Sequence, residues 1–167
     1  MTINAYTASI PVLTHTMGAL KKILEKAQVF EAEKNINFST LPNMRLAPDM
    51  LALAKQVQIA SDTAKFCAAR LAGVEAPKWE DNEATLTDLI NRVQKTIDFL
   101  SVFTPEQLLN CEDKTIQIKA GGYDLKFTGE RYQLYFAIPN LYFHVTTTYN
   151  ILRHAGVPLG KRDFLGG

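Results

Sequence analysis

The side chain best suited to chemistry is His144, which lies near the middle of the stretch Pro139–Gly156. This stretch is predicted to be one helix, with Pro139 in its first turn and Gly156 as a left-handed cap beyond its end. His144 shares a helix face with residues that recur at about 3.6-residue spacing: Leu141, Val145, Thr148, Ile151, Leu152 and Ala155. An imidazole on an apolar face destabilises the fold unless it is hydrogen-bonded or bound to a metal. His144 is therefore either a core histidine bonded to a facing helix or the reactive group of a pocket.

In the core interpretation, the partner of His144 is one of four polar residues of the second helix: Gln56, Gln58, Ser61 or Thr63. In the pocket interpretation, His144 is a general base or hydrogen-bonding group in a cavity between the second and last helices. The residues expected around it as ligand-binding groups are Gln58, Asp62, Tyr142, Tyr149 and Arg153. Asp62 has a simpler interpretation as well, as a solvated carboxylate in local ion pairs with Lys55 or Lys65.

The other histidines and the cysteines offer less. His15 lies on the flank of the first predicted helix and is either a boundary residue or a metal ligand. His154 follows His144 by ten residues and lies nearly opposite it on the helix, so the two cannot chelate one ion. Cys67 and Cys111 are far apart and form no CxxC pair, which predicts two free thiols in a reducing compartment.

Four amphipathic helices are predicted to position these groups. Their predicted limits are Ser9 to about Glu33, Pro48 to Gly73, Asp81 or Asn82 to about Leu100, and Pro139 to Gly156. Between the last two helices, the segment Lys114–Thr128 alternates apolar residues around Gly121-Gly122, which predicts a β-hairpin. The expected fold class is therefore all-α, an up-and-down four-helix bundle with a small β-hairpin before the last helix.

Two further segments flank the last predicted helix. Gly129–Ile138 is expected to form a helical turn that Pro139 kinks or restarts. The tail after Gly156 is too apolar for a free end, so we expect it to pack on the bundle. We further expect its charged group Lys161-Arg162-Asp163 to dock on the second helix, with Arg162 meeting Asp62.

Composition limits the classes of function. A chain of 167 residues with 47% hydrophobic residues is expected to form a single domain, residues 1–167. Eighteen Lys and Arg against 17 Asp and Glu give a net charge of +1, which argues against nucleic-acid binding. The sequence contains no signal peptide pattern and no apolar run of about 20 residues, so we expect a cytoplasmic protein without membrane contact.

Three phrases carry a family resemblance: QVQIASDTAKFCAARLAG, PNLYFHVTTTYNILRHAG and VPLGKRDFLG. Together with the order of helices and the strand pair before the last helix, they resemble the DinB/YfiT-like superfamily, whose members are regarded as metalloenzymes. More closely, they look like an uncharacterised bacterial branch known only as a domain of unknown function. They cover the second helix, the last helix and the tail, about a quarter of the chain.

The superfamily resemblance implies a divalent metal, such as zinc or nickel, held by one histidine of the second helix and an HxxxH pair of the last. Such a site keeps an open coordination position, which some members use to activate a thiol. Here the pattern is incomplete, because residues 48–73 contain no histidine and Thr148 stands four residues after His144. Only His144 is carried over as a metal ligand, with Gln58, Asp62 or His15 as weak additional ligands.

Different classes of function therefore stay open. The first is an uncharacterised DinB-like protein with an altered or vestigial ligand or metal pocket around His144, or alternatively a metal-dependent enzyme of the thiol-transferase or isomerase type. The second is a non-catalytic homodimeric interaction or stress-related protein. Its interface would be formed by the small-residue face of the second helix together with the aromatic run Tyr132, Tyr135, Phe136, Tyr142 and Phe143. In a simpler interpretation, the same aromatic run belongs to the core of the last helix.

Overall fold

The structure is a computed structural model that describes residues 3–34 and 38–167. It is mostly helical, with one small antiparallel sheet. The elements in chain order are α1 (Ile10–Lys34), a 3₁₀ segment (Phe38–Asn43), α2 (Leu53–Ala72), α3 (Leu86–Leu100), a second 3₁₀ turn (Pro105–Leu108), β1 (Thr115–Ala120), β2 (Tyr123–Thr128), α4 (Gly129–Tyr132), a π-helical turn (Gln133–Ala137), α5 (Ile138–His154) and α6 (Lys161–Phe164). In the described residues, no helix is both long enough and apolar enough to span a bilayer.

The four long helices pack around one apolar core. Helices α1 and α2 each pack against both α3 and α5. The apolar faces predicted from helical spacing are the faces that meet in the core. Its largest fully buried side chains include Leu13, Met17, Leu20, Leu53, Leu71, Leu89 and Leu100.

Two helix starts differ from the sequence prediction. Helix α2 begins at Leu53 rather than at Pro48, because the carbonyls of Met50 and Leu51 accept hydrogen bonds from the side chains of Arg45 and Gln56 instead of from helical N–H groups. Helix α3 begins at Leu86 rather than near residue 82.

The start of α3 is fixed by a capping box. The Thr85 hydroxyl accepts the Asp88 N–H at 3.1 Å, while the Asp88 carboxylate accepts the Thr85 N–H at 2.9 Å. Asp81, one of the two predicted caps, instead pairs with Lys55 and Arg92.

The predicted glycine caps are confirmed, whereas the predicted serine cap is not. Gly73 and Gly156 both adopt the left-handed conformation, with φ of 75° and 93°. Ser9 directly precedes α1 but does not cap it with its side chain, because its hydroxyl donates backwards to the Ala5 carbonyl at 2.6 Å.

The predicted hairpin is confirmed and is anchored in the core. Strands β1 and β2 pair from Thr115 opposite Thr128 to Ala120 opposite Tyr123, with Gly121-Gly122 in the turn. Ile116 and Ile118 of β1 are buried.

Pro139 does not interrupt the last helix, and helical structure already precedes it. Helices α4 and α5 are continuous through the π-helical turn, and Pro139 lies in the first turn of α5. Proline has no N–H and crowds the carbonyl four residues before it, and the wider π turn lies at this point of the helix.

The tail packs on the helices, as predicted, but on α1 rather than on α2. Asp163 pairs with Lys26, and His15 Nε2 lies 3.0 Å from the Leu165 carbonyl oxygen. Lys22 donates to the Gly166 carbonyl at 3.1 Å. The expected docking of the tail on α2 is therefore wrong, because its polar partners are supplied by the exposed face of α1.

Candidate functional site

His144 lies in a seam between α2 and α5, where it is only 7% exposed. Its Nδ1 is 2.7 Å from Gln56 Oε1, and Gln56 Nε2 donates to the Leu51 carbonyl at 3.0 Å. Because the amide nitrogen of Gln56 is used by Leu51, its oxygen faces the imidazole and assigns the His144 proton to Nδ1. Burial lowers the pKa of His144, which favours the neutral ring.

The second nitrogen of His144, Nε2, is the unpaired atom of this ring within the described chain. Nε2 has no hydrogen-bond partner in residues 3–34 and 38–167, yet it is not among their fully enclosed unpaired atoms. Phe143 stands edge-on to the imidazole, with ring centroids 5.2 Å apart. A neutral imidazole whose unprotonated Nε2 is not fully enclosed can accept a hydrogen bond or a proton from a molecule that reaches it.

A second neutral pair lies one helical turn earlier in the seam. Asn140 Nδ2 donates to Thr63 Oγ1 at 2.8 Å. Sequence reasoning missed Asn140, although its spacing of four residues before His144 places both on one helix face. Of the four predicted partners of His144, only Gln56 bonds to it, and Ser61 Oγ is buried without a partner in the described chain.

The residues of the seam do not fit the divalent metal that the superfamily resemblance implies. Structural and catalytic zinc sites use at least three histidine, cysteine or carboxylate ligands. Within the described ranges, no group of three such residues is arranged to hold an ion. Thr148 Oγ1 donates to the His144 carbonyl at 2.9 Å and so is engaged with its own helix.

Gln58 and Asp62, both predicted near His144, belong to the other flank of α2. Gln58 Nε2 donates to Glu83 at 2.9 Å. Asp62 pairs with Lys65 at 2.7 Å and with Arg92 at 3.1 Å. The structure therefore does not bring these two residues to His144, although the Lys65 pair agrees with the simpler interpretation of Asp62.

Arg92 organises that flank. It is 2% exposed and pairs with Asp62, Asp81 and Glu83, the last two at 2.9 Å. Burial alone would lower its pKa, but the three carboxylates outweigh it and raise the pKa. The Lys65 ammonium lies 4.4 Å from the ring centroid of Trp79, beside the same cluster. Sequence reasoning missed Arg92, whose only signal is a charge at helical spacing between Leu89 and Val93.

The two predicted tyrosines and Arg153 also have separate surroundings. Tyr142 is partly exposed on α5. Tyr149 packs edge-on against Phe164 of the tail, with centroids 6.2 Å apart. Arg153 donates to the Val157 carbonyl at 2.9 Å. None of these contacts involves His144.

The aromatic run of α4 and α5 divides between core and surface. Tyr132 is buried and stacks on Phe136, with centroids 5.9 Å apart. Tyr135 is 70% exposed, Phe143 58% and Tyr142 39%.

Both cysteines are free thiols, as predicted, and both are buried. Burial raises the pKa of Cys67 to about 12, so this thiol is not an activated nucleophile.

Comparison with known proteins identifies the fold family. Residues 5–165 match the family model described as a domain of unknown function, DUF1993. A crystal structure of a DinB family member protein from Shewanella denitrificans is 40% identical to this chain, with a TM-score of 0.86 over 99% of this chain and 97% of the other. No curated protein matches the sequence. The chain belongs to the DUF1993 family, a DinB-like domain of unknown function.

Proposed function

We propose that this protein is a DinB-like four-helix bundle that works without a bound metal and uses the altered pocket at His144 to bind a small polar molecule. The observation that carries the proposal is the bond between His144 and Gln56, which leaves a neutral imidazole with one unpaired nitrogen. In the superfamily, a histidine of the second helix would complete a metal site. Here the residue of α2 that faces His144 is Gln56, whose amide is a poor ligand for zinc or nickel.

The chemistry proposed for His144 is acceptance of a hydrogen bond or of a proton. His144 Nε2 is the acceptor, Gln56 holds the ring orientation, and Phe143 covers one side of it. A metal-dependent thiol transfer or isomerisation needs at least two more strong ligands in this seam. A cytoplasmic location stays a prediction.

The test is the metal content of untagged protein purified without chelator, measured by elemental analysis for wild type and His144→Ala. We expect far less than one zinc, nickel or iron per chain in both. His154→Ala, which removes an exposed histidine of the same helix, is the matched control. Stoichiometric metal that disappears only in His144→Ala would overturn the proposal and support the enzyme alternative.

A second candidate is a homodimer formed through α5, and the exposed aromatic face supports it. Tyr135 of the π-helical turn and Tyr142 and Phe143 of α5 are large exposed aromatic residues, a type that protein interfaces favour. We expect wild type to sediment as a dimer and the double variant Tyr135→Ser, Phe143→Ser to sediment as a monomer. Tyr123→Ser, which changes an equally exposed tyrosine of the hairpin, should leave the dimer intact. A monomeric wild type would exclude this candidate.

A further inference from the structure

A cleft lies between α2, the hairpin and α4, and its volume is about 220 Å³. Ile59, Phe66, Ile118 and Phe136 contribute apolar surface to it. Arg70, in the last turn of α2, supplies a positive charge at the same cleft. A cleft with apolar walls and one cation has the composition of a site for a small amphipathic anion.

Arg70 has no anionic partner among the described residues. Its Nη1 donates to the Tyr132 hydroxyl at 2.7 Å, and its guanidinium carbon lies 4.6 Å from the ring centroid of Phe66. No carboxylate in residues 3–34 and 38–167 pairs with it. The guanidinium is thus positioned by two aromatic rings while its charge stays uncompensated.

The other charges at the cleft are already paired. Asp62, which also lines the cleft, is held by Lys65 and Arg92 on its far side. Lys119 lies 3.9 Å from Asp124 on the exposed hairpin. Arg70 is therefore the cation of this cleft that has no carboxylate partner among the described residues.

Tyr132 supplies a second donor. It is 1% exposed, and burial raises its pKa to about 12, so the hydroxyl stays protonated at neutral pH. Because its oxygen accepts the Arg70 N–H, its own proton is free to be donated. No described residue accepts that proton. The hydroxyl and the guanidinium, which are 2.7 Å apart, thus offer neighbouring donors at one cleft.

We propose that this cleft binds a small carboxylate with an apolar body. Arg70 and Tyr132 hold the carboxylate, and Ile59, Phe66 and Ile118 contact the body. The volume is below the range of about 300–1,000 Å³ that is usual for drug-sized ligands, which limits the occupant to a simple aryl or short-chain acid. The site uses neither His144 nor Gln56, so it does not depend on the function proposed for the seam.

The experiment is an NMR and calorimetric titration at low salt with phenylacetate and hexanoate as acid probes. We expect saturable binding, with shifts of the Ile59 and Ile118 methyl signals. Phenylacetamide has the same body without the charge and should bind about tenfold more weakly or worse, because hydrogen bonds to charged groups are the stronger ones. Equal binding of acid and amide would overturn the proposal, as would the absence of saturable shifts with either acid.

Variants separate binding from folding. Arg70→Gln should weaken phenylacetate binding by about tenfold or more, and Arg70→Lys should retain part of it because the charge remains without the planar fork. Tyr132→Phe should weaken it by a smaller factor. Arg131→Gln is the matched control, since Arg131 lies over Tyr135 outside the cleft, with its guanidinium carbon 5.4 Å from the ring. Folded Arg70→Gln protein that binds phenylacetate like wild type would leave Arg70 with a purely structural role and overturn the proposal.

Discussion

The two flanks of α2 satisfy their buried polar side chains differently, one with neutral hydrogen bonds and the other with ion pairs. On the flank that faces α5, Gln56 meets a neutral histidine, and the neighbouring pair of Thr63 and Asn140 is also uncharged. On the flank that faces α3, Gln58 meets Glu83 in a cluster of acids around Arg92. Gln56 and Gln58, which are only two positions apart in the sequence, thus belong to a neutral seam and to an ionic one. The neutral flank keeps a reactive nitrogen free, whereas the ionic flank uses its groups to hold the helices and the segment at Trp79 together.

The largest effect is expected from Arg92→Met, which keeps the apolar stem and removes the charge. Asp62, Asp81 and Glu83 are then left without their shared cation. Removing one partner of a buried ion pair costs about 3–5 kcal/mol, and we expect about 3 kcal/mol here because two of the carboxylates are partly exposed. Urea unfolding at pH 7 measures it. Lys119→Met, which breaks an exposed pair, should change stability by less than about 0.5 kcal/mol. A similar small change for Arg92→Met would mean that the ionic flank is not structural.

The acid dependence of stability tests the ionic flank through Asp81. Burial acts to raise its pKa, but Lys55 and Arg92 outweigh this and lower it. A carboxyl group whose pKa is lower folded than unfolded adds stability above the unfolded pKa of about 3.9 and loses that stability as pH falls through the folded pKa. Urea unfolding from pH 5 to pH 3 should therefore show a shallower decline for Asp81→Asn than for wild type. An identical decline would contradict this assignment.

On the neutral flank, His144→Ala should cost about 2 kcal/mol, because it leaves Gln56 Oε1 buried without its partner. A thermal melt and urea unfolding measure the loss. An unchanged melting temperature would show that the seam does not need the bond. The expected loss is smaller than for Arg92→Met because no charge is left unpaired.

The stability contributed by the flank of His144 is expected to change at a higher pH than that of Asp81. Burial lowers the pKa of His144, so below about pH 6.5 the unfolded chain binds a proton that the folded chain resists. Stability should therefore fall as pH drops from 7 to 5. His144→Gln should flatten this fall, whereas the exposed His154→Gln should not. A steep fall that persists in His144→Gln would assign it to another group.

The smallest effect is expected from the tail, which lies on neither flank. A double-mutant cycle of Lys26→Ala with Asp163→Ala should give a coupling energy of about 0.5 kcal/mol, as for other partly exposed pairs. The cycle of Asp62→Ala with Arg162→Ala should be additive. Coupling in the second cycle but not in the first would move the tail to α2.

Much of the fold could be predicted, because each long helix carries its own apolar period and the glycine caps are local signals. The start of α2 could not, since the side chains of Arg45 and Gln56 take the carbonyls that would extend the helix. His144 was recognisable as a buried residue with a small set of partners. The choice of Gln56 over Gln58 depends on how α2 is rotated between α3 and α5, which no local pattern encodes. Arg92 could not be recognised from the sequence, because the carboxylates that make its burial possible, Asp62, Asp81 and Glu83, lie in other segments of the chain.

The two ends of the hairpin lie side by side where it joins the helical body. Glu112, before β1, and Glu130, after β2, are joined by a backbone hydrogen bond of 3.0 Å. Any side chain at Gly129 would collide with the Cys111 carbonyl, since a Cβ there would lie 1.9 Å from its oxygen. The strand pair therefore leaves and re-enters the helical body at one point, as a module inserted between two fixed neighbours. Insertions or substitutions at its exposed turn can therefore reshape the cleft beside it, while the buried Ile116 and Ile118 keep its base packed on the helices.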